Sequence, residues 1–161
     1  MSAARLRVAH PGWLRRPLGA WLAWTALATG LNALWELGQL PLYAIFWNER
    51  PGAIAWAVVH CTAGDALLAA ACYALAGLAA RDPAWPRTRP GRGIAVATLA
   101  GIAYTVVSER YSVYLAGRWT YAPAMPLVFG IGLAPLLQWA LLPGLTLALL
   151  RHYARGGWFH D

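Results

Sequence analysis

An all-α, polytopic integral membrane protein with four transmembrane helices and both termini cytoplasmic is the fold class this sequence predicts. Three observations predict it. The chain is 60% hydrophobic and 12% charged, with a mean hydropathy of +0.47, whereas soluble domains hold about 45–50% apolar and about 25% charged residues. Four apolar runs, at about 18–47, 53–80, 93–116 and 125–150, each exceed the roughly 20 residues that cross the bilayer core. Arg residues cluster on one side of that alternation: Arg5, Arg7, Arg15 and Arg16 before the first run, Arg81, Arg87, Arg89 and Arg92 between the second and third, Arg151 and Arg155 after the fourth. The other two loops carry only Arg50 and Arg118. The positive-inside rule then places both termini in the cytoplasm, and a bacterial inner membrane suits the whole.

The length, 161 residues, is accounted for by one membrane domain over 1–161. The net charge of +7, carried by Arg without Lys, lies in short segments flanking apolar runs. It is therefore a topology signal, and nucleic acid is excluded as a partner. Cys61 and Cys72 fall on one expected helix about 16 Å apart, too far for a disulfide. The N-terminal basic segment resembles the charged region of a signal peptide. The apolar run after it is too long and lacks an Ala-x-Ala-type cleavage site, so a retained cytoplasmic segment is expected.

The first run carries Asn32, Trp35, Glu36 and Gln39 at i, i+3, i+4 and i+7, one stripe on one helix face. Pro41 is expected to kink or end the helix, because it removes the backbone bond to residue 37. Residues 48–52 form a tight turn on their Pro-Gly pair. The second run holds His60 and Asp65, about 140° apart around a helix, with Cys61 stacked on Asp65. Its Ala-rich second half suits close packing.

Residues 81–92, rich in Pro and Arg, have no apolar periodicity and read as a connector. The third run aligns Gly101, Tyr104, Ser108 and Tyr111, with Glu109 and Arg110 beside them, and an internal Glu109–Arg pair is the plain structural reading of that acid. Trp119 and Tyr121 mark a headgroup belt. The fourth run begins near Met125, contains Gly130, Gly132, Pro135 and Pro143, and carries Gln138 and Trp139.

An acidic group at the centre of a membrane helix costs about 2.5–3.5 kcal/mol on insertion scales, so it is retained facing a bundle interior, a partner or water. Glu36, His60 and Glu109 fall in the outer half of their spans, with Asp65 and Gln138 near mid-depth. Four runs independently set polar groups at similar height. Glu36, His60, Asp65 and Glu109 are thus the candidate catalytic set. Asn32, Trp35, Gln39, Tyr104, Ser108, Tyr111, Gln138 and Trp139 are the candidate substrate-binding residues.

Such a set is suited to binding a hydrophobic lipid of isoprenoid or sterol-like form and converting it by acid–base chemistry, with carboxylates desolvated enough to protonate alkenes or move allylic protons. Three alternatives stand beside it. The cluster could hold the bundle together in a non-catalytic accessory subunit of a larger membrane complex. It could conduct protons. Or it could bind a divalent metal through Glu36, His60, Asp65 and Glu109, although no Glu-x-x-His or His-x-x-x-His pair is present. No cofactor is expected, haem least of all, since His60 has no second His at its depth. The expected partner is a membrane lipid, with a homo-oligomer or membrane complex as the assembly.

The stretch Glu36-x-x-Gln39-Leu40-Pro41-Leu42-Tyr43, followed by Val59-His60 in the next run, resembles the EXPERA group, which includes the emopamil-binding sterol isomerases and the sigma-2 receptor type. That resemblance implies a four- or five-helix membrane bundle with a sterol-sized cavity, in which acidic residues and a His handle a cationic ligand or intermediate. It reaches Glu36, Gln39 and His60. The motif stands here in the first run, whereas the family has a helix before it, so Asp65 or Glu109 has to supply the second acid. Ser108-Glu109, Trp119-x-Tyr121 and the run from Gly132 to Trp139 also look like small bacterial inner-membrane proteins of unassigned function.

Overall fold

A computed structural model describes residues 17–156. Arg5, Arg7, Arg15 and Arg16 of the expected cytoplasmic segment, and residues 157–161 of the tail, lie outside the described residues. The described residues are mostly helical, 81%. Among the described residues, three helices are long and apolar enough to cross a membrane: Pro51–Ala80, Pro90–Leu115 and Leu133–Ala154. The helix Pro17–Gln39 is not among the three.

Helix α1 runs Pro17–Gln39 and stops where Pro41 requires, in a 3-10 turn Leu40–Leu42. A short helix α2, Ile45–Asn48, leads to α3, Pro51–Ala80. Pro51 opens α3 at its first position, where the missing N–H costs nothing. Arg81 closes it in the left-handed region, φ 52°, a place usually given to glycine. Helix α4 is the single turn Trp85–Thr88, and α5 runs Pro90–Glu109 before widening into a π-helical stretch, Arg110–Leu115. A two-stranded antiparallel hairpin follows, β1 Leu127–Val128 and β2 Ile131–Gly132. Helix α6, Leu133–Gly156, completes the chain. α1 packs on α3 and α6, and α5 on α3 and α6, so the four long helices close a ring.

The packed end of the ring is built from indoles against small residues. Trp24 and Trp85 meet edge to face at 5.3 Å, with Tyr73 against both. Trp24 Nε1 donates to the Ala69 carbonyl and Trp21 Nε1 to that of Ala70, each at 3.1 Å. Ala76 and Ala80 are fully buried beside them. α5 turns Gly93, Ala97, Gly101, Thr105 and Glu109 inward at every fourth residue. A Cβ at Gly93 would collide with the Trp85 ring, and one at Gly101 with the Trp139 ring.

Three expectations are corrected. The fourth helix begins at Leu133, not near Met125, because Pro123 and Pro126 and the left-handed Phe129 and Gly130 turn the chain into a hairpin first. The 81–92 segment is more than a connector: Trp85 is fully buried, and its indole donates to the Tyr73 carbonyl at 3.2 Å. The inward face of α5 is the Gly101–Thr105–Glu109 row, so Tyr104 and Tyr111 are exposed.

Candidate functional site

At the other end of the ring, four helices lean their polar residues into a shared space. Gln138, 2% exposed on α6, is its hub. Its Nε2 donates to Asn32 Oδ1 at 2.8 Å and Asp65 Oδ2 at 2.9 Å, with Glu36 Oε1 further off at 3.4 Å. An amide carries two hydrogens, so the two short bonds take them and Glu36 depends on another donor. That donor is Gln39 Nε2, 2.9 Å from Glu36 Oε1. Gln39 Nε2 also lies 3.3 Å from Gln138 Oε1, and Gln39 Oε1 receives the Trp35 indole at 3.2 Å. The Glu36 and Asp65 carboxyls thus converge on the same Gln138 amide nitrogen. The i, i+3, i+4, i+7 stripe on α1 thus meets α3 and α6 through two amides.

Glu109, 7% exposed at the end of α5, forms a second centre. Tyr121 Oη donates to its Oε2 at 2.5 Å, Trp119 Nε1 approaches the same oxygen at 3.5 Å, and Tyr43 Oη reaches Oε1 at 3.4 Å. Tyr121 Oη in turn accepts the Gly132 N–H at 3.0 Å. Burial pushes the Tyr121 hydroxyl above the ordinary phenol range, and its bond to Glu109 adds to the shift. Trp119 and Tyr121 arrive on the segment after α5, which pairs antiparallel with the chain around Tyr43. Ala44 N donates to Thr120 O and Ala122 N to Leu42 O, both at 2.9 Å, around a Tyr43–Tyr121 bridge.

Both centres face a cavity of about 840 Å³. Glu36, Gln39, Cys61, Asp65, Thr105, Ser108, Glu109 and Gln138 form its polar wall, and Tyr43, Trp56, Tyr104, Trp119 and Trp139 its aromatic one. Asn48, Glu49 and Ala53 from the first turn and 117–120 from the later segment complete the lining. A smaller groove of about 500 Å³ lies between α1 and α6, lined by Leu31, Leu34, Trp35, Gly38, Leu42, Leu142 and Leu145. Gln39 belongs to the walls of both.

Of the candidate residues, Asn32, Trp35, Glu36, Gln39, Asp65 and Gln138 share one hydrogen-bonded network, with Trp139 beside it. Tyr104 and Ser108 line the cavity without joining the network. His60 is also in the lining but stacks on Trp56, ring centroids 6.0 Å apart, rather than bonding to Asp65. Five residues of helix carry the two to different faces. Tyr111 lies outside the lining, its ring under the Arg118 guanidinium at 5.2 Å. Arg110 does not pair with Glu109; its Nη2 donates to the Phe129 carbonyl at 3.3 Å. Trp119 and Tyr121 turn inward to Glu109 instead of forming only a headgroup belt. Among the described residues, no three His, Cys, Asp or Glu side chains gather as a metal cage.

Tyr43 and Tyr121 were absent from the candidate set. No signal in the sequence marks them: Arg110 stands next to Glu109 in the chain, and only its turn toward the Phe129 carbonyl leaves the acid to neutral donors.

No protein family, curated protein or solved structure matches this chain.

Proposed function

We propose that this protein spans the membrane four times, α1 included, with both termini cytoplasmic in a bacterial inner membrane. Its cavity then opens toward the outer leaflet, binds a hydrophobic lipid of isoprenoid or sterol-like class and converts it by proton transfer. The observation that carries this reading is the convergence of Glu36 and Asp65 on the Gln138 amide in the wall of a cavity large enough for a lipid body. Two carboxyls gathered around one amide in a low-dielectric site cannot both ionise easily, so one donates a proton while the other accepts, as general acid–base catalysis needs.

Glu36 and Asp65 are the acid–base pair in this scheme, and Glu109 stabilises positive charge that develops across the cavity. The aromatic wall supports the same role, since ring faces attract cations. The apolar groove beyond Gln39 suits the hydrocarbon part of the ligand. His60 stands at the wall as a proton exchanger with the mouth. The EXPERA resemblance of Glu36, Gln39 and His60 points the same way.

Native mass spectrometry with metal analysis on gently purified protein tests the proposal. A lipid that co-purifies with wild type and is lost in Glu36→Gln, the fold being kept, supports it. A bare chain that arrives with other subunits sinks it. The second reading, a non-catalytic accessory subunit, draws on Gln138 itself, whose bonds fasten α1, α3 and α6 as a purely structural hub would. It predicts that Glu36→Gln weakens assembly and that no lipid is found.

A further inference from the structure

We infer that residues 117–126 form a strap closing the mouth of the acid-lined cavity, latched by the Tyr121 hydroxyl on the Glu109 carboxylate. The inference rests on the cavity being a ligand site, as proposed above. The strap belongs to no helix and to neither strand of the hairpin. It contributes Gly117, Arg118, Trp119 and Thr120 to the cavity wall, where Asn48, Glu49 and Ala53 contribute from the first turn. It therefore lies across the opening between two loops rather than deep between helices.

Its far end is anchored, with Ala122 and Met125 buried and Leu133 N donating to Pro126 O at 2.8 Å, whereas Gly117, Arg118 and Thr120 at its near end are exposed. Two backbone hydrogen bonds join it to the chain at Leu42 and Ala44, and Arg118 N donates to Ser112 O at 2.8 Å. Pro123 and Ala124 are exposed. Gly117 holds φ +58° with nothing packed where a Cβ would stand, a conformation glycine adopts at little cost and a suitable hinge. Tyr121 fastens the near end. It is the one strap side chain bonded at once to α5, through Glu109, and to β2, through the Gly132 N–H. Trp119, 3.5 Å from the same carboxylate oxygen, adds a weaker tie.

The latch couples the strap to the site. Lifting the strap takes Tyr121 and Trp119 off Glu109 and leaves the buried carboxyl with Tyr43 as its hydrogen-bond donor. A buried acceptor stripped of donors is costly, so the open state is favoured when an incoming molecule offers a hydroxyl or amine N–H in their place. Tyr121 is thus a positioning residue: closed, it fixes the Glu109 carboxylate; open, it yields that carboxylate to the ligand.

Two native thiols supply the test. Cys61 is half-buried in the cavity wall, and Cys72 is buried between helices. Purified full-length protein is treated with a charged, membrane-impermeant maleimide, and labelling at each cysteine is followed by peptide mass spectrometry. Wild type should label slowly at Cys61. Tyr121→Phe keeps the ring and every charge but removes the latch, and should label Cys61 about fivefold faster, the factor by which one lost hydrogen bond shifts an opening equilibrium. Cys72 should stay unlabelled in both. Trp119→Phe, losing the longer bond, should fall between them.

An unchanged Cys61 rate in Tyr121→Phe overturns the inference. So does a wild-type Cys61 that already reacts as fast as in denatured protein. Labelling of Cys72 in Tyr121→Phe overturns it too, because Tyr121 would then be holding the bundle rather than a strap. The assay contains no lipid, so its failure leaves lipid binding standing, and absence of a co-purified lipid leaves the strap standing.

Discussion

Gln138 and Asn32, 106 positions apart, are joined by a single amide–amide hydrogen bond of 2.8 Å with both side chains 2% exposed. That bond closes the ring between the first and last long helices and fixes the amide that serves Asp65.

Gln138→Ala should therefore be among the most damaging single changes outside the indole core. It empties a buried site and strands the Asn32 and Asp65 acceptors, each at about 1–3 kcal/mol. Thermal unfolding in detergent should show a loss of about 2–6 kcal/mol by the same reckoning. A loss below about 0.5 kcal/mol, typical of inert surface positions, would show that the hub is not a hub.

Gly101→Ala and Gly30→Ala should differ in sign. A methyl at Gly101 runs into the Trp139 ring, while one at Gly30 meets nothing within 4 Å. Overpacking at the first should cost about 1–3 kcal/mol. The second should gain about 0.5–1 kcal/mol from helix propensity. Paired melting curves decide it, and equal shifts would refute the Trp139–Gly101 contact.

Much of the site could be read before the fold was known. The Asn32–Trp35–Glu36–Gln39 stripe, Asp65 and Gln138 were legible because helical spacing and span depth are local properties, and a buried polar group needs partners. What was not legible depends on chain reversal. Tyr121 reaches Glu109 only because 117–126 folds back over the helix ends, and no periodicity encodes that. Trp85 looked like part of a polar loop, since its neighbours are Pro and Arg; only the small residues of α3 and the bare Gly93 make room for its ring. His60 shares the site's depth but not its face.

Asp82, outside the apolar helices, gives a pH signature. The Thr88 hydroxyl, at 2.6 Å, holds its carboxyl below the usual carboxylate range, helped by the Ala84 N–H at 2.8 Å. Because the folded pKa is the lower one, the stabilisation is present above the unfolded value near 3.8 and is lost as pH falls through the folded value. Wild type should thus exceed Asp82→Asn in stability at neutral pH, and the gap should close in acid below that value. A gap that persists there would mean that Asp82 acts otherwise than through its charge.

Phe129→Gly should stabilise despite removing a large apolar side chain. Phe129 sits at φ 50° and is 90% exposed, so the ring packs on little protein while the backbone bears left-handed strain. Relief of about 1–2 kcal/mol is expected, read as a rise in unfolding temperature. A fall would show that the ring has a partner outside the protein.

The paired indoles of α1 have a mechanical meaning. Trp21 and Trp24 reach two successive carbonyls of α3, as two teeth engage two notches. One helical residue advances 1.5 Å, so sliding α1 along α3 by a single step would disengage both together. The two helices are keyed in height at that end, and a piston-like stroke between them is blocked. Any relative movement of these two helices is then a hinging at the far end, pivoting on those teeth.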